Sequence, residues 1–565
     1  MSVIALAGNP NSGKTTLFNR LTGSRYKVGN RAGVTVEVKK GFCKENTIVD
    51  LPGIYSLSRS DAEECAAKEY LESGEAEIII NIIDATNLER SLKLTEQLAA
   101  LKIPMIIALN MTDMLKKSGF SIDKGKMIGI IGAPVVMISA SKGTGLEELF
   151  EKEAKAAAID SEKIKRIMSE AVTKIGVNKP LERSIQADKI LLGSVFSGIV
   201  FAGIAALVFW LTFGAPGRLL GELCEKIFLS FTAAAENLLE KNNVNYFLSS
   251  LVCDGILASV GGVVPFFGQI LILFFCISVL EDMGYMSRII FLADRIFEKL
   301  KIDAKAAVPL VIGFGCSVPA AMSAKNINNS VMRKKTAELL PFIPCSAKMP
   351  VFLIFASAFF GKNRQAVTIG LYVVGIASAC IYAFFARSRI KKEAFVLELP
   401  PYRMPTVRNT FNQLRDKLSD FVKRAGSVLF LAGIAVWFMQ TFDFSLKIAD
   451  LPEKSILGEV GSKIAFIFVP CGFGTWQAAV ALLSGFMAKE AVLSTLAVVY
   501  GGDFIGAFSP SSAAAFLIFV LFYPPCAAAL SAISTYLSKK ETICLIVRQT
   551  LIAWSAAVLV YFLLK

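Results

Sequence analysis

The residues best suited to chemistry lie close to the amino terminus, where the segment Gly8–Thr15 reads GNPNSGKT. It matches the pattern G-x-x-x-x-G-K-[ST], whose backbone N–H groups wrap the α- and β-phosphates of a nucleotide. In that pattern Lys14 reaches the β- and γ-phosphate oxygens, and the Thr15 hydroxyl binds Mg²⁺. A short apolar run precedes the segment and a helix-forming run follows it, and the N-terminus of a helix favours an anion. We therefore predict phosphate or Mg²⁺ contacts from Gly8, Asn9, Ser12, Gly13, Lys14, Thr15 and Thr16.

Two further segments are placed to serve the γ-phosphate. The segment Asp50–Gly53 (DLPG) follows an apolar run, so its aspartate supplies a carboxylate near Mg²⁺ and its glycine supplies an N–H to the phosphate. Thr35, two residues after Gly33, stands where a switch threonine caps Mg²⁺. Ile54 occupies the position at which fast small GTPases place a water-orienting glutamine, which predicts slow hydrolysis or another way of positioning water. The candidate catalytic residues are Thr35 and Gly53.

Base recognition is indicated by two short motifs that each follow an apolar run. The segment Asn110–Asp113 has the N-x-x-D spacing of GTPases, in which the aspartate accepts from guanine N1–H and the exocyclic amine, and the asparagine holds the loop. The segment Ser139–Ser141 is placed to offer an N–H to guanine O6. Together and in this order the motifs favour GTP over ATP, with a helix N-cap as the alternative role for Asp113. The predicted guanine contacts are Asn110, Met111, Asp113, Ser139, Ala140 and Ser141.

The elements that position these motifs change character near residue 190. Up to residue 150, apolar runs at 78–83, 104–109 and 134–138 alternate with amphipathic stretches, which predicts an α/β domain with a parallel sheet. Residues 151–189 are predicted to form a short helical spacer, with helices over 147–158 and 161–175. Residues 190–565 are predicted to form an all-α polytopic membrane domain.

The composition supports a membrane protein rather than a nucleic-acid-binding one. Hydrophobic residues make up 54% of the chain, which is high for a soluble protein. The net charge of +14 is not concentrated on one soluble module. Residues 387–424 hold ten Lys or Arg against four Asp or Glu, whereas residues 215–254 hold three against five, as expected of cytoplasmic and external segments respectively. We predict seven to nine crossings and a nucleotide-binding domain in the cytosol.

Two of the apolar spans contain residues that break helices. Residues 306–324 carry two prolines and two glycines around Cys316, and residues 339–361 carry three prolines around Cys345. The later segment Phe522–Ala528 (FYPPCAA) echoes Pro341–Ala347 (PFIPCSA), which suggests two related halves. Broken helices at bilayer depth are tolerated where the exposed backbone lines a cavity. These spans therefore indicate a substrate site.

The chain resembles the ferrous iron transport protein B family of prokaryotic inner-membrane proteins over nearly its whole length. The most specific segments are Gly8–Thr16, Asp50–Leu57, Leu280–Arg288, Gly313–Pro319, Pro344–Lys348, Ser484–Glu490 and Pro525–Ala528. The resemblance implies an Era-like P-loop GTPase fold, an activating K⁺ held with the help of Asn11, and a place for Cys316, Cys345 and Cys526 in the gate or metal path. The sequence departs from the family at Asn30–Gly33 (NRAG for the usual NWPG) and at Ser317, where asparagine is common. The spacer is also much shorter than the family's dissociation-inhibitor domain.

The chemistry of the metal path follows from which ligands the chain offers. It contains no histidine, so thiolate and carboxylate oxygen are the main ligands available to Fe²⁺. Glu281 and Asp282 end a long apolar run, and acids at bilayer depth usually have a task. Their alternative is a hydrated position at the cytoplasmic interface. Glu490 is a further candidate for contact with the metal, and its alternative is an intramembrane salt bridge with Lys489. The alternative for the three cysteines is simple apolar packing, which we assign to Cys253, Cys276, Cys380, Cys471 and Cys544.

We interpret the chain as a GTP-regulated importer of Fe²⁺ in a prokaryotic cytoplasmic membrane. The expected cofactors are GTP, Mg²⁺ and K⁺, and the expected partners are the bilayer, a small cytosolic accessory protein and further copies of the chain, but not nucleic acid. Two alternatives stay open from the residues alone. One is a transporter of Mn²⁺ or Zn²⁺, because thiolates also suit zinc. The other is a membrane-anchored signalling GTPase that transports nothing.

Overall fold

The fold is described from a computed structural model of the 565-residue chain. The residues that it describes are 2–10, 12–24, 39–57, 62–115, 120–174, 184, 186–189, 191–193, 196–242, 245–261, 264–300, 302–327, 329–386, 402–449, 451–502 and 504–565. The chain divides into two compact units, Met1–Gln186 and Ala187–Lys565.

The first unit is built on a mostly parallel sheet. Its strands are β1 Val3–Gly8, β2 Lys39–Cys43, β3 Asn46–Asp50, β4 Ile78–Asp84, β5 Met105–Asn110, β6 Phe120–Ile122, β7 Val135–Met137 and β8 Val172–Lys174. Its helices are α1 Lys14–Thr22, α2 Ala62–Glu72, α3 Leu88–Ala99, α4 Thr112–Leu115, α5 Lys124–Ile131, α6 Glu148–Glu151 and α7 Ser161–Glu170. The six-stranded sheet has the order β2-β3-β1-β4-β5-β7, and only the edge strand β2 pairs antiparallel. The predicted α/β class and the three predicted strands are confirmed.

The spacer does not form the two long helices that were predicted for it. The first helix ends at Glu151, because Lys155 exchanges backbone hydrogen bonds with Met105 at 2.9 and 3.3 Å and so extends the chain beside β5. The second helix ends at Glu170, because residues 172–174 pair as β8 with β6. Ile164 and Ile167 of α7 are buried in the same core as α3 and α5. Residues 151–174 therefore share the core of the first unit.

The second unit is helical in its described residues. Its longer helices are α8 Phe196–Phe213, α9 Ala215–Lys241, α10 Tyr246–Ser250, α11 Ala258–Gly261, α12 Val264–Asp282, α13 Tyr285–Lys299, α14 Ala307–Gly315, α15 Ser317–Ser323, α16 Ser330–Leu339, α17 Met349–Phe360, α18 Arg364–Phe385, α19 Val407–Phe421, α20 Ser427–Thr441, α21 Ile456–Ala465, α22 Trp476–Met487, α23 Ala491–Val499, α24 Pro510–Phe522, α25 Ala527–Ser534 and α26 Lys539–Leu564. Wider π-helical turns cover Leu251–Leu257 and Val422–Gly426. Tighter turns cover Ala304–Ala306, Ala324–Asn326, Leu340–Phe342, Ser346–Lys348, Gly361–Asn363, Pro452–Lys454, Phe466–Cys471 and Ile505–Ala507.

Among the described residues, fewer helices are long and apolar enough to cross a membrane than the uncharged stretches suggested. Across the described parts of the chain, four helices are long and apolar enough to cross a membrane, or up to six if each of two bent pairs is one span. The bends are 83° between α12 and α13 and 102° between Ile456–Cys471 and α22. Several uncharged stretches are divided into short helices, so the described residues contain fewer full-length spans than the seven to nine crossings predicted.

The predicted helix breaks are confirmed, and a further pair appears in the second half. Cys316 is extended (φ −151°) between α14 and α15, and Cys345 is extended (φ −81°, ψ 163°) before the turn at Ser346–Lys348. In the second half, α22 ends at Met487 and α23 begins at Ala491, while α24 ends at Phe522 and α25 begins at Ala527. Each half of the unit therefore contains two interrupted spans.

Candidate functional site

The phosphate loop joins β1 to α1 and depends on close backbone approaches. A Cβ at Gly8 would lie 2.5 Å from the carbonyl oxygen of Ile82 on the neighbouring strand, so a side chain does not fit there. Gly13 has a left-handed conformation (φ 89°) that glycine adopts without steric cost. These two glycines give the loop a path along which its N–H groups can surround an anion.

Three of the predicted phosphate and Mg²⁺ contacts meet at one place. Lys14 Nζ lies 2.5 Å from Asp50 Oδ1, and Thr15 Oγ1 donates to Asp50 Oδ2 at 3.2 Å. The lysine and the aspartate are only 7% and 5% exposed, so each charge compensates the other in a buried position. The motif after β3 is thereby placed against the loop after β1, as the parallel pairing of these strands requires.

Two side chains of the loop carry buried polar atoms that are not satisfied within the described part of the chain. They are the Asn9 Oδ1 and Ser12 Oγ atoms. Buried polar atoms normally have a partner, so these two atoms are suited to contact a ligand in the loop. Ser12 Oγ can donate to a phosphate oxygen and Asn9 Oδ1 can accept from a ligand or bind a cation. The loop therefore fits a nucleotide phosphate with its metal ion.

The base pocket is held together by Asn110. Its Nδ2 donates to the carbonyl oxygen of Ser12 at 2.8 Å, and its Oδ1 accepts from the N–H of Ala140 at 2.9 Å. Met111, which follows it, has a positive φ of 63° and turns the chain into α4. The asparagine thus connects the phosphate loop to the segment Ser139–Ser141, whose last carbonyl also accepts from Arg20 at 2.7 Å.

Asp113 is the second residue of α4 and not its N-cap. One carboxylate oxygen accepts from Ser139 Oγ at 3.0 Å, and the other lies 3.3 Å from Lys142 Nζ. The hydrogen bond from Ser139, helped by Lys142, holds the pKa of the Asp113 carboxyl below its usual value. An ionised carboxylate is what recognition of guanine N1–H and the exocyclic amine requires.

The segment after Gly53 is anchored by contacts that the motifs did not indicate. A Cβ at Gly53 would lie 3.1 Å from Pro10 Cα, which keeps this segment against the phosphate loop. Ile54 is 2% exposed and packs into the core of the unit, so its side chain is unavailable to orient water. The N–H of Ser56 donates to Glu64 Oε1 at 3.2 Å, and that of Leu57 donates to Gln97 Oε1 at 2.7 Å. Asn11, Gly33 and Thr35 lie outside the described residues.

In the second unit, a cavity collects residues from all four helix breaks. It offers about 100 Å³ to water-sized molecules. The titratable side chains on its lining are Cys316, Cys345, Cys526, Glu490, Lys348 and Lys489. The three predicted metal-path cysteines are therefore brought together, and Glu490 joins them. No group of three or more Cys, Asp or Glu side chains in the described ranges is close enough to hold a metal ion ready-made.

The two lysines were not singled out as site residues. Lys489 does not pair with its neighbour Glu490 among the described ion pairs, but donates to the carbonyl oxygen of Pro524 at 2.5 Å. Lys348 donates to the carbonyl oxygen of Leu521 at 2.6 Å. The only signal in the sequence was the position of each lysine beside a break in an apolar span.

Glu281 and Asp282 lie apart from the lining of this cavity. Glu281 pairs with Lys417 at 2.8 Å, and Asp282 accepts from the N–H of Thr406 at 2.8 Å. Both acids thus connect the end of α12 to the segment around α19. Five other cysteines of this unit were assigned to packing. Of these, Cys276 and Cys471 are buried, Cys253 is half-buried, and Cys380 and Cys544 are exposed.

Models of known protein families match four segments of the chain. A profile described as ferrous iron transport protein B matches residues 2–153, and one for the carboxyl-terminal part of the same protein matches residues 368–417. A third profile, named Gate and described as nucleoside recognition, matches residues 263–359 and 422–540. Its two segments contain the two pairs of helix breaks.

Curated relatives align with more than nine tenths of this chain. The Fe(2+) transporter FeoB of Staphylococcus aureus strain COL is 34% identical over 96% of this chain and 95% of its own length. The protein of the same name from Campylobacter jejuni is 35% identical over 93% of this chain and 92% of its own length. That of Helicobacter pylori strain J99 is 32% identical over 93% of each chain.

Solved structures resemble the first unit. A crystal structure of NFeoB from S. thermophilus bound to GDP·AlF4⁻ and K⁺ is 42% identical, with a TM-score of 0.27, over 34% of this chain and 73% of that chain. The FeoB G-domain from Methanococcus jannaschii is 41% identical, with a TM-score of 0.24, over 27% of this chain and 95% of that chain.

Proposed function

The chain belongs to the ferrous iron transport protein B family, and from this premise we propose how its two units divide the work of GTP-linked Fe²⁺ uptake. The first unit binds and hydrolyses GTP. The second is an integral membrane unit, and the interrupted spans of its two halves form the passage. The relatives do not favour the two alternatives, transport of another metal and signalling without transport.

Nucleotide binding would change the contacts within the buried cluster of Lys14, Asp50 and Thr15. Lys14, which contacts Asp50 in this structure, would hold the β- and γ-phosphate oxygens of GTP, and Asp50 and Thr15 would hold Mg²⁺. Little charge would be buried without compensation, because the lysine would then face phosphate in place of the carboxylate and the carboxylate would face Mg²⁺ in place of the lysine. The observation that supports this exchange is the Lys14–Asp50–Thr15 cluster itself. The base contacts come from Asn110, Asp113 and the segment Ser139–Ser141.

Hydrolysis is proposed to be slow and to depend on backbone and ion contacts. Ile54 is committed to the core, so no side chain at that position orients the attacking water. The candidate catalytic residues remain Thr35, as a cap on Mg²⁺, and Gly53, as an N–H donor to the γ-phosphate. Asn11 would help to hold a K⁺ ion, which would supply positive charge where negative charge develops; a solved relative is bound to K⁺.

Fe²⁺ passes through the thiol-lined cavity. The single observation that carries this proposal is the convergence of Cys316, Cys345, Cys526 and Glu490 from four separate helix breaks on one cavity. Thiolate and carboxylate are ligands that Fe²⁺ accepts. Glu281 and Asp282, the other candidates for the metal path, lie outside the lining of this cavity.

The first test replaces one thiol at a time. Cys345→Ser should reduce Fe²⁺ uptake by proteoliposomes by roughly tenfold or more, because loss of even an outer partner of a metal ligand typically costs 10–100-fold. The rate of GTP hydrolysis should stay nearly unchanged, since the cysteine lies in the other unit. Cys380→Ser, at an exposed cysteine outside the cavity lining, is the matched control. Normal uptake by Cys345→Ser would remove this residue from the path.

The setting of the protein in the cell is proposed from its charges. The basic segment 387–424 favours the cytoplasmic side, so the nucleotide-binding unit lies in the cytosol of a prokaryotic cell and the second unit lies in its cytoplasmic membrane. A small cytosolic accessory protein and further copies of the chain are the partners that we propose beyond GTP and Fe²⁺.

A further inference from the structure

The side chains of two lysines that line the cavity both end at one helix break. Lys348 and Lys489 are each 3% exposed. Lys348 Nζ lies 2.6 Å from the carbonyl oxygen of Leu521, and Lys489 Nζ lies 2.5 Å from that of Pro524. The lysines come from different halves of the unit, yet both carbonyls belong to the break between α24 and α25.

Proline explains why a carbonyl is free at this break. In an α-helix the carbonyl of residue i accepts from the N–H of residue i+4, and the partner of Leu521 would be Pro525, which has no N–H. Lys348 supplies the missing donor. The same arrangement occurs in the first half, where the partner of Gly315 would be Pro319 and Ser346 Oγ donates to the Gly315 carbonyl at 2.6 Å.

Carbonyl oxygens that lack an N–H partner within their helix can bind cations. In transporters with interrupted helices, unwound backbone carbonyls and the negative C-terminal ends of half-helices coordinate the transported or coupled ion. Oxygen ligands of this kind suit Mg²⁺, Ca²⁺ and Mn²⁺, whereas thiolates suit softer ions. In this protein two such oxygens, the carbonyls of Leu521 and Pro524, each accept a hydrogen bond from a lysine ammonium group. Apart from the two lysines, the polar side chains on the cavity lining are the three thiols, Glu490, the Gln269 amide and the hydroxyls of Thr212, Ser317 and Ser346.

We propose that Lys348 and Lys489 determine metal specificity, as tethered cations that fill the carbonyl positions and so exclude hard divalent ions. Their positive charges repel every divalent cation, but only an ion that binds the thiols as thiolates gains compensating negative charge. Fe²⁺ gains this compensation from Cys316, Cys345 and Cys526, and Mn²⁺ gains less of it. This inference rests on the proposed passage of Fe²⁺ through the same cavity.

A purely structural role makes a different prediction. If the lysines only cap the end of α24, their loss weakens the helix break and lowers the uptake of every metal alike. The ratio of Mn²⁺ uptake to Fe²⁺ uptake would then stay as it is in the wild type. The ratio therefore separates specificity from capping, which a simple loss of activity does not.

The experiment uses the full chain with Lys348→Met, Lys489→Met and both changes together, because methionine keeps much of the side-chain length without charge or donor. Mn²⁺ and Fe²⁺ uptake are measured anaerobically with GTP in proteoliposomes. Mn²⁺ binding to the purified, nucleotide-free chain is measured by electron paramagnetic resonance. We expect the Mn²⁺-to-Fe²⁺ uptake ratio of the double variant to rise about tenfold, the change that one hydrogen-bond-sized interaction produces, and Mn²⁺ to bind more tightly. Lys362→Met, at an exposed lysine, is the matched control.

The outcomes distinguish this inference from the proposed function. Normal Fe²⁺ uptake by the wild type, with an unchanged ratio and unchanged Mn²⁺ binding in the double variant, overturns the inference alone. No Fe²⁺ uptake by the wild type, with tighter Mn²⁺ binding in the double variant, overturns the proposed function, whereas the tighter binding itself supports the exclusion of hard divalent ions by the two lysines. If the methionine variants do not fold, the Lys348→Gln and Lys489→Gln pair, which can still donate to the carbonyls, must raise the same ratio through loss of charge, and an unchanged ratio there overturns the inference.

Discussion

Asn110 illustrates at the scale of one residue how the nucleotide pocket is assembled. The N-x-x-D spacing assigned it the task of holding a loop, and its two hydrogen bonds to Ser12 and Ala140 show that it holds two loops at once. Such a bridge is predictable from the motif, because parallel strands bring the segments after them to one edge of the sheet. The distances between the loops could not be read from the sequence.

The base contact of Asp113 predicts a change of nucleotide. In Asp113→Asn the side-chain amide donates where the carboxylate accepted, so affinity for GTP should fall by roughly 1.5–3 kcal/mol, the value of a hydrogen bond to a charged group. Xanthosine triphosphate, which carries an oxygen in place of the exocyclic amine, should bind more tightly to the variant than to the wild type. Fluorescent-nucleotide titration of the full chain measures both affinities.

Glu153→Gln, at an exposed carboxylate of the same unit, is the control for this substitution. In the wild type, the lowered pKa of Asp113 keeps its carboxylate ionised as pH falls from about 8 to about 6, so preference for GTP over inosine triphosphate should not change in that range. The preference should be lost only when pH falls through the lowered pKa. Unaltered GTP affinity in Asp113→Asn would contradict the assigned contact.

Other residues of the site gave little signal in the sequence. Glu64 and Gln97 accept from backbone N–H groups of the segment after Gly53, but glutamate and glutamine on helix surfaces are common and carry no motif. Lys348 and Lys489 were visible as charges near apolar spans, yet their acceptors lie 173 and 35 residues away along the chain. Contacts of this kind depend on the tertiary fold, which local patterns do not specify.

At the scale of elements, proline predicted where helices break but not what replaces the lost hydrogen bonds. The breaks at Cys316 and Cys345 follow from the covalent structure of neighbouring prolines. The predicted helix over 147–158 was wrong because residues with high helix propensity were recruited beside β5 through Lys155. Propensity is a weak preference that tertiary pairing overrides.

The junction between three distant segments of the second unit predicts a large effect of one arginine. Arg288, at the start of α13, is 1% exposed and makes two hydrogen bonds to Asp188, with Nε–Oδ1 and NH2–Oδ2 distances of 3.2 and 2.9 Å. Its guanidinium also lies 4.1 Å from the ring centre of Tyr402, whose hydroxyl donates to Asp188 at 3.0 Å. Arg288→Met leaves the aspartate without its countercharge and should destabilise the unit by about 3 kcal/mol, whereas Tyr402→Phe should cost about 1 kcal/mol.

Thermal unfolding of the detergent-purified full chain checks this order of effects. The midpoint should fall most for Arg288→Met, less for Tyr402→Phe, and hardly at all for Arg364→Met, which changes an exposed arginine of the same unit. Equal midpoints for Arg288→Met and Arg364→Met would show that the junction contributes little.

At the scale of the whole molecule, the nucleotide-binding unit and the membrane unit have separate cores. Coupling between them therefore requires a difference in interaction free energy. A nucleotide can shift the membrane unit only if the two states of that unit differ in their interaction with the nucleotide-bound first unit. The composition predicted the two units, because the change from alternating apolar runs to long uncharged spans is visible near residue 190. The sequence contained no comparable pattern for the coupling between them.

The altered nucleotide preference of Asp113→Asn allows that coupling to be tested in the intact protein. If GTP regulates transport, Fe²⁺ uptake by proteoliposomes containing this variant should be supported by xanthosine triphosphate and no longer by GTP at concentrations that saturate the wild type. The membrane unit is unchanged, so the switch in nucleotide must act through the first unit. Adding Cys345→Ser to the variant should reduce the uptake supported by xanthosine triphosphate by roughly tenfold or more, while leaving hydrolysis of xanthosine triphosphate intact. Equal uptake with GTP, with xanthosine triphosphate and without nucleotide would show that the passage opens independently of the nucleotide pocket, since only occupancy of that pocket differs among the three conditions.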